Sequence, residues 1–164
     1  MIIKSYEIKK INLENDHFIL FYGKNEGYKN ETINNLTKYK NKNEIIIYEE
    51  KYILENTQHF LDSVLTKSLF EKEKIIIIKR ATDKIIQIIS EIYSKNLDGI
   101  LIIINSENLE KKSKLRSFFE KEKKCICVAF YPDTEQTISK LAYNFLREKK
   151  ISISQANINL LSNR

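Results

Sequence analysis

The chain has 164 residues, of which 42% are hydrophobic and 30% are charged. This length and balance suit one folded domain, or one domain and part of another, and exclude a disordered tail. The formal charge of +6 favours an acidic or nucleic-acid partner. The heavy use of Ile, Lys and Asn, as in AT-rich genomes, accounts for the same charge without a functional basic face.

Apolar runs in the sequence are short. The longest have the length of a strand, whereas a membrane span needs roughly 20 apolar residues. Residues 1–5 lack the apolar core of a signal peptide. We therefore expect a cytoplasmic protein with no membrane partner.

Hydrophobic periodicity predicts alternating strands and helices. Five Ile-rich runs predict strands that are apolar on both faces, at residues 18–22, 45–48, 75–78, 100–104 and 125–130. Helical periodicity fills the gaps at residues 29–39, 55–69, 82–93 and 111–122, with Thr82 or Asp83 as an N-cap. Strands buried on both faces and joined by helices are typical of a parallel sheet. We predict an α/β fold, a doubly wound parallel five-stranded sheet flanked by helices.

The turn after the first predicted strand has the position of a phosphate-binding loop, between a strand and a helix. That loop requires Gly, four residues, Gly-Lys, and then Ser or Thr. Gly23 and Lys29 fit the first glycine and the lysine. Tyr28 stands where the second glycine belongs, and Asn30 where the magnesium-binding hydroxyl belongs. Gly27 lies one position early.

These changes predict a degenerate phosphate loop that keeps the shape of the loop and has lost its chemistry. A tyrosine cannot let the backbone approach phosphate as glycine does, and Asn30 is a poor replacement for the hydroxyl. We expect no nucleotide cofactor, no metal and no catalytic residue. The plain alternative is that Gly23 is an ordinary strand-to-helix turn and Lys29 a solvated helix residue.

An apolar pair, Leu69 and Phe70, follows Ser68 at the end of the second predicted helix. Core packing explains such a pair, since burying each side chain contributes roughly 1.5–3 kcal/mol. An apolar pair at the end of an element also suits an interface anchor. The residues alone leave both alternatives open.

The ends of two predicted strands carry polar residues. Nucleotide hydrolases place an acid after the third strand to hold magnesium, whereas this chain has Lys79 and Arg80 there. Asn105 closes the fourth predicted strand, at the position of a polar sensor in related ATPases. Together with the changed turn, these residues favour an ATPase core without catalysis.

The two cysteines, Cys125 and Cys127, alternate along the last predicted strand and should face the same side. A lone Cys-x-Cys is a weak metal signal. We expect two buried, reduced thiols.

The pattern changes after Pro132. Residues 133–148 and 154–163 predict two amphipathic helices, and five apolar residues of the first should face inward: Ile138, Leu141, Ala142, Phe145 and Leu146. Two short helices cannot bury a core by themselves. We therefore predict an α/β domain over residues 1–132 and the truncated beginning of a helical domain over residues 133–164.

Taken together, these features resemble the δ subunit of bacterial DNA polymerase III, a part of the sliding-clamp loader. The resemblance rests on the order and spacing of Tyr22-Gly23, of Ser68-Leu69-Phe70, of residues 101–119 and of Tyr131-Pro132. It covers essentially the whole chain and the first half of a family member.

The resemblance implies an AAA+-type fold that does not turn over ATP, with residues 133–164 as the start of a lid. It implies as partners the β sliding clamp, the ATPase subunits of the loader and δ′, with weak contact to the DNA backbone. In the family, a Leu-Phe pair at this helix end inserts into a pocket on the clamp and helps to open the ring. This maps onto Leu69 and Phe70, beside Ser68.

Two alternative functions remain from the residues. One is an atypical ATPase or kinase that uses Lys29, for which Gly23 and Lys29 after a strand are the evidence. The other is a module that binds nucleic acid through its basic surface, whose affinity would fall steeply with salt.

Overall fold

The chain was analysed as a computed structural model, which describes residues 1–13, 17–38, 40, 44–66 and 74–162. Contacts between residues divide the chain into two units, unit 1 (Met1–Phe130) and unit 2 (Tyr131–Arg164). Unit 1 holds a β-sheet with helices, and unit 2 holds a pair of helices.

Among the described residues, six strands form one parallel sheet: β1 (Ile2–Lys4), β2 (Phe18–Tyr22), β3 (Ile45–Glu49), β4 (Lys74–Ala81), β5 (Ile100–Ser106) and β6 (Cys125–Ala129). Their order across the sheet is β1-β6-β2-β5-β4-β3. The predicted parallel α/β architecture is confirmed, but the prediction of five strands missed β1. This edge strand buries only Ile3, so it has no apolar run from which a strand could be predicted.

Helices of unit 1 cover both faces of this sheet. The α-helices are α1 (Glu26–Thr37), α2 (Glu50–Glu55), α3 (Thr57–Leu65), α4 (Ile86–Ser94), α5 (Lys114–Lys121), α6 (Glu135–Glu148) and α7 (Gln155–Ser162). Short 3₁₀ helices cover Ser5–Lys10 and Asp83–Ile85. One face of the sheet packs against α2 to α5, through residues such as Phe60, Ile89 and Phe119. The other packs against Ile33 of α1 and against the residues that follow β1.

Two helix boundaries differ from the sequence prediction. Helix α1 begins at Glu26 rather than at Lys29, because the Asn25 side chain accepts a hydrogen bond from the Tyr28 N–H at 3.1 Å and caps the helix. The helix predicted over residues 55–69 corresponds to α3, which begins at Thr57 because Asn56 leaves helical geometry at φ −132° and ψ 45°. The preceding helix α2 was not predicted. The last residues of that prediction, 67–69, lie outside the described part of the chain.

Two neighbouring residues cap different helices. The Thr82 hydroxyl accepts from the Lys84 N–H and caps the 3₁₀ helix before α4, as predicted. Asp83 instead accepts hydrogen bonds from the Ser113 hydroxyl at 2.5 Å and from the Leu115 N–H at 3.0 Å, at the start of α5. Partial burial opposes ionisation of Asp83, but these hydrogen bonds prevail and lower its pKa. The cap joins the chain after β4 to the chain after β5.

Both cysteines lie in β6 with their side chains in the same layer of the core, as predicted. Burial raises the pKa of Cys125 and of Cys127 to about 12. Metals bind the thiolate rather than the thiol, so these groups are poor metal ligands at neutral pH.

In unit 2, α6 packs against α7. The Ser139 and Ser162 hydroxyls lie 2.6 Å apart, and Ile158 of α7 is buried. Leu141 and Phe145 were predicted to face inward, but they are 54% and 57% exposed. A single neighbouring helix covers only part of the apolar face of α6. In the described part of the chain, no helix combines the length and the apolar character that crossing a membrane requires.

Candidate functional site at the carboxyl edge of the sheet

The carboxyl ends of β2, β4 and β5 border a polar cavity of about 580 Å³. Open parallel sheets bind ligands in the crevice outside the carboxyl ends of their strands, so a nucleotide would be expected here. Five of the residues singled out in the sequence line the cavity: Gly23, Asn30, Lys79, Arg80 and Asn105. Gly27, Tyr28 and Lys29 lie in the first turns of α1.

Gly23 occupies a position that only glycine tolerates. Its φ of +121° is unfavourable for residues with a Cβ, and a Cβ placed there would lie 2.1 Å from the Phe130 carbonyl oxygen. Its N–H donates to the Glu107 carbonyl at 3.0 Å. The glycine is therefore required by close packing of the turn against the end of β6.

The turn is shorter than a phosphate-binding loop. It covers residues 23–25, since α1 starts at Glu26, whereas the phosphate-loop pattern would keep residues 24–27 between Gly23 and the second glycine position. The expectation that the loop keeps its shape is therefore wrong. Gly27 lies inside the helix, and the nearest atom to a Cβ there would be Asn25 Oδ1 at 3.9 Å. Gly27 thus serves no tight turn.

Backbone N–H groups of the turn donate to protein acceptors. A phosphate loop directs these groups at phosphate oxygens. Here the Asn25 N–H donates to the Phe130 carbonyl at 3.4 Å, the Tyr28 N–H to the Asn25 side chain, and the Lys29 N–H to the Asn25 carbonyl at 3.1 Å. Protein oxygens therefore accept the hydrogen bonds that such a loop would donate to an anion.

Lys29 is fully buried, so the alternative of a solvated helix residue is wrong. Its ammonium donates to the Ser106 carbonyl at 2.5 Å and forms an ion pair with Glu26 at 2.7 Å. The other Glu26 oxygen accepts from the Asn105 side chain at 2.8 Å. Partial burial works against ionisation of Glu26, but the hydrogen bonds from Lys29 and Asn105 outweigh it and lower its pKa. Lys29 is therefore committed to contacts within the protein.

Asn105 completes this network at the end of β5. Its amide nitrogen also lies 3.5 Å from the Asn30 side-chain oxygen. Its own side-chain oxygen is buried and has no hydrogen-bond partner among the described residues. Asn105 therefore joins the end of β5 to Glu26 and Asn30 in α1.

Arg80 lies at the rim of the cavity, at an irregularity at the end of β4. It adopts a left-handed φ of +56°, which is uncommon for residues other than glycine. Its Nε donates to Glu49 at 2.7 Å, and this hydrogen bond lowers the pKa of Glu49. Where a hydrolase places an acid for magnesium, this chain has a cation held by the neighbouring strand.

Glu26 is the site residue that sequence reasoning missed. Glu26 and Lys29 have the i, i+3 spacing at which side chains meet on a helix. The spacing was not used because the helix was predicted to begin at residue 29. Recognising Asn25 as an N-cap would have placed both residues on one helix face.

Ser68, Leu69 and Phe70 lie outside the described residues. They belong to the segment between Thr66, which follows α3, and Lys74, the first residue of β4. Their assignment as a clamp-binding anchor stays a prediction.

No family model and no curated protein sequence matches this chain. Solved structures do. The Bacillus subtilis DNA clamp loader delta protein (YqeN) aligns with a TM-score of 0.66 and 11% identity, over 94% of this chain and 50% of that protein. Replication initiator DnaA bound to AMPPCP and single-stranded DNA aligns with a TM-score of 0.56 and 17% identity, over 96% and 55%. Domain III of Thermotoga maritima DnaA aligns with a TM-score of 0.50 and 14% identity, over 96% and 72%.

These similarities concern the fold, since the identities lie between 11% and 17%. The chain spans half the length of the delta protein. The parallel sheet flanked by helices is the fold that the chain shares with these structures, and the α/β fold class predicted from the sequence is confirmed.

Proposed function

We propose that this chain is a delta-type subunit of the DNA polymerase III clamp loader. In this function it binds and opens the β sliding clamp during DNA replication, and it does not hydrolyse ATP. The ATPase subunits of the loader and δ′ are its assembly partners. The fold similarity to the clamp loader delta protein, over 94% of this chain, carries the proposal.

The burial and the hydrogen bonds of Lys29 support a subunit without ATPase activity. In a phosphate loop this lysine reaches the β- and γ-phosphates. Here its ammonium is buried and bound to Glu26 and to the Ser106 carbonyl. Releasing it would leave Glu26 without its cation and expose a buried carbonyl, so nucleotide binding would have to compensate for both losses.

The proposed anchor is Leu69 with Phe70, beside Ser68. Described residues on both sides of that segment are joined to each other. The Lys74 ammonium donates to the Ser63 carbonyl in the last turn of α3, and the Ser63 hydroxyl lies 3.0 Å from the Tyr48 hydroxyl. The segment that carries the anchor therefore starts and ends at elements that are bonded to each other, which suits a rigid base for an interface.

Purified chain is expected to bind purified β clamp in surface plasmon resonance, and Leu69→Ala combined with Phe70→Ala should weaken binding about 100-fold or more. Each interface anchor contributes on the order of 2 kcal/mol or more. The matched control is Leu160→Ala with Leu161→Ala, two leucines of α7 that are 69% and 53% exposed. That variant should bind as the native chain does. Absence of binding by the native chain would refute the function, and full affinity of the anchor variant would refute the anchor.

Magnesium-ATP separates this proposal from the ATPase alternative. Because the Lys29 ammonium is bound to Glu26 and Ser106, we expect a Kd for magnesium-ATP weaker than ~1 mM, which is a binding free energy less favourable than about −4 kcal/mol. Equilibrium dialysis with 100 µM magnesium-ATP should therefore show no measurable occupancy. Binding with a Kd in the micromolar range would favour an atypical ATPase or kinase.

The nucleic-acid alternative rests on the formal charge of +6, which ion pairs within the chain do not change. Several cations are paired with carboxylates, among them Lys10 with Glu7 at 2.5 Å and Arg80 with Glu49 at 2.7 Å. Contact with DNA phosphates remains a weak secondary expectation of the clamp-loader proposal.

A further inference from the structure

Phe130 is the last residue of unit 1, and its burial contrasts sharply with that of the next residue. Phe130 is 1% exposed, whereas Tyr131 is 75% exposed. The Phe130 N–H donates to the Tyr22 carbonyl at 2.7 Å, and its own carbonyl accepts from the Asn25 N–H at 3.4 Å. The chain therefore leaves unit 1 directly from a residue that is bonded to both sides of the Gly23 turn.

Two aromatic rings hold the Phe130 side chain. The Phe21 ring meets it at a centroid distance of 5.2 Å and an angle of 70°, and the Tyr28 ring at 5.2 Å and 79°. Both geometries are the edge-to-face arrangement that aromatic pairs prefer. The Tyr28 hydroxyl donates to the Ser5 carbonyl at 3.3 Å, which ties the same ring to the 3₁₀ helix after β1.

We infer that Tyr28 is a positioning residue. By packing its ring against Phe130, it holds this residue at the turn after β2 and fixes the point at which the chain leaves unit 1. Tyr28 stands at the position where a phosphate loop requires glycine. A glycine there has no side chain and could not hold Phe130. The substitution that removes the phosphate-loop pattern thus supplies a contact of its own. This inference uses only contacts within unit 1 and does not rest on clamp binding.

The contacts that hold Phe130 come from other residues of unit 1. Loops that a γ-phosphate holds rearrange when the nucleotide is hydrolysed. The Phe130 contacts, in contrast, are to Tyr22, Asn25, Phe21 and Tyr28. We therefore expect the position of Phe130 to be the same with and without ATP.

Amide hydrogen exchange at single-residue resolution tests this inference. Tyr28→Ala should accelerate exchange of the Phe130 N–H about tenfold relative to the Ile103 N–H in the centre of the sheet, since an aromatic contact and its packing are lost. Tyr28→Phe keeps the ring and should leave Phe130 unchanged. Tyr6→Ala, which removes a tyrosine that is 72% exposed, is the matched control and should also have no effect.

A purely structural role of Tyr28 would accelerate exchange at Phe130 and Ile103 by the same factor, and that result would overturn the inference. Unchanged exchange of Phe130 in Tyr28→Ala would overturn it as well. In the native chain, slower exchange of the Phe130 N–H on addition of magnesium-ATP would show that the exit depends on nucleotide. If Tyr28→Ala does not fold, Tyr28→Leu, which keeps the bulk without the ring edge, gives the same comparison.

Discussion

Gly23→Ala is expected to destabilise unit 1 by about 2–6 kcal/mol, combining backbone strain of about 1–3 kcal/mol with overpacking of about 1–3 kcal/mol. The added Cβ would meet the Phe130 carbonyl oxygen at 2.1 Å, and the φ of +121° disfavours alanine even without that contact. Relief would require β6 to move away from the turn, which breaks the hydrogen bond from the Phe130 N–H to Tyr22. Domains are typically stable by only about 5–15 kcal/mol, so this loss is a large fraction of the total.

The matched control is Gly27→Ala, four residues further along the chain. Its nearest neighbour would be 3.9 Å away, and the position lies inside α1. Alanine in a helix is favoured over glycine by about 0.5–1 kcal/mol, so this variant should gain stability. Urea denaturation followed by circular dichroism measures both. If Gly23→Ala is as stable as Gly27→Ala, the turn does not pack against β6 as described.

The strands could be predicted where they are buried on both faces. Runs such as residues 100–104 are apolar throughout because helices or neighbouring chain segments cover each side of the sheet. β1 could not be predicted, since an edge strand forms around the single buried residue Ile3 and pairs with β6 more than 120 residues away. Helix α2 was equally hidden, because Ile53 is the single buried apolar residue among its six residues.

The position of the candidate site could be predicted from the sequence, but the contacts of its residues could not. The sequence predicted a turn after the strand that ends at Tyr22, and the structure has one at residues 23–25, whereas Lys29 lies in α1. The acceptors that receive their hydrogen bonds are the backbone carbonyls of Ser106 and Phe130, which are distant in sequence and which every residue possesses. No residue pattern reports such a partner, so the burial of Lys29 emerged only from the fold. The Leu69 and Phe70 anchor comes from family resemblance and remains to be tested.

Glu26→Ala is expected to destabilise unit 1 by about 2–4 kcal/mol, because it leaves a fully buried ammonium without its counter-ion. Lys29 would keep only the Ser106 carbonyl as a partner, and Asn105 would lose the acceptor for its amide. The loss lies below that of a fully buried pair because the Glu26 side chain is 56% exposed. Glu31→Ala, which removes an exposed glutamate of α1, is the control and should change stability by less than about 0.5 kcal/mol.

Acidification should remove the contribution of Glu26 to the stability of unit 1. The pKa of Glu26 is lowered from its ordinary value of 4.5 in the folded chain, so its stabilisation is fully present above that value and is lost as the pH falls through the lower folded pKa. The difference between native and Glu26→Ala stability should therefore be constant from pH 7 to about 5.5 and shrink below 4.5. A difference that grows on acidification would contradict an ionised Glu26 bound to Lys29.

The double variant Glu26→Ala, Lys29→Met tests whether Lys29 now serves the protein alone. Methionine fills much of the volume of the lysine side chain without a charge, and replacing a buried ion pair by apolar groups is often neutral or stabilising. The double variant should therefore be more stable than Glu26→Ala by about 1–3 kcal/mol. Measuring the single variant Lys29→Met as well completes the double-mutant cycle and gives the coupling energy between the two residues. Additive effects would mean that the ammonium does not depend on Glu26 and remains available to a ligand. Strong coupling would instead make Lys29 a structural residue, as the proposed function requires.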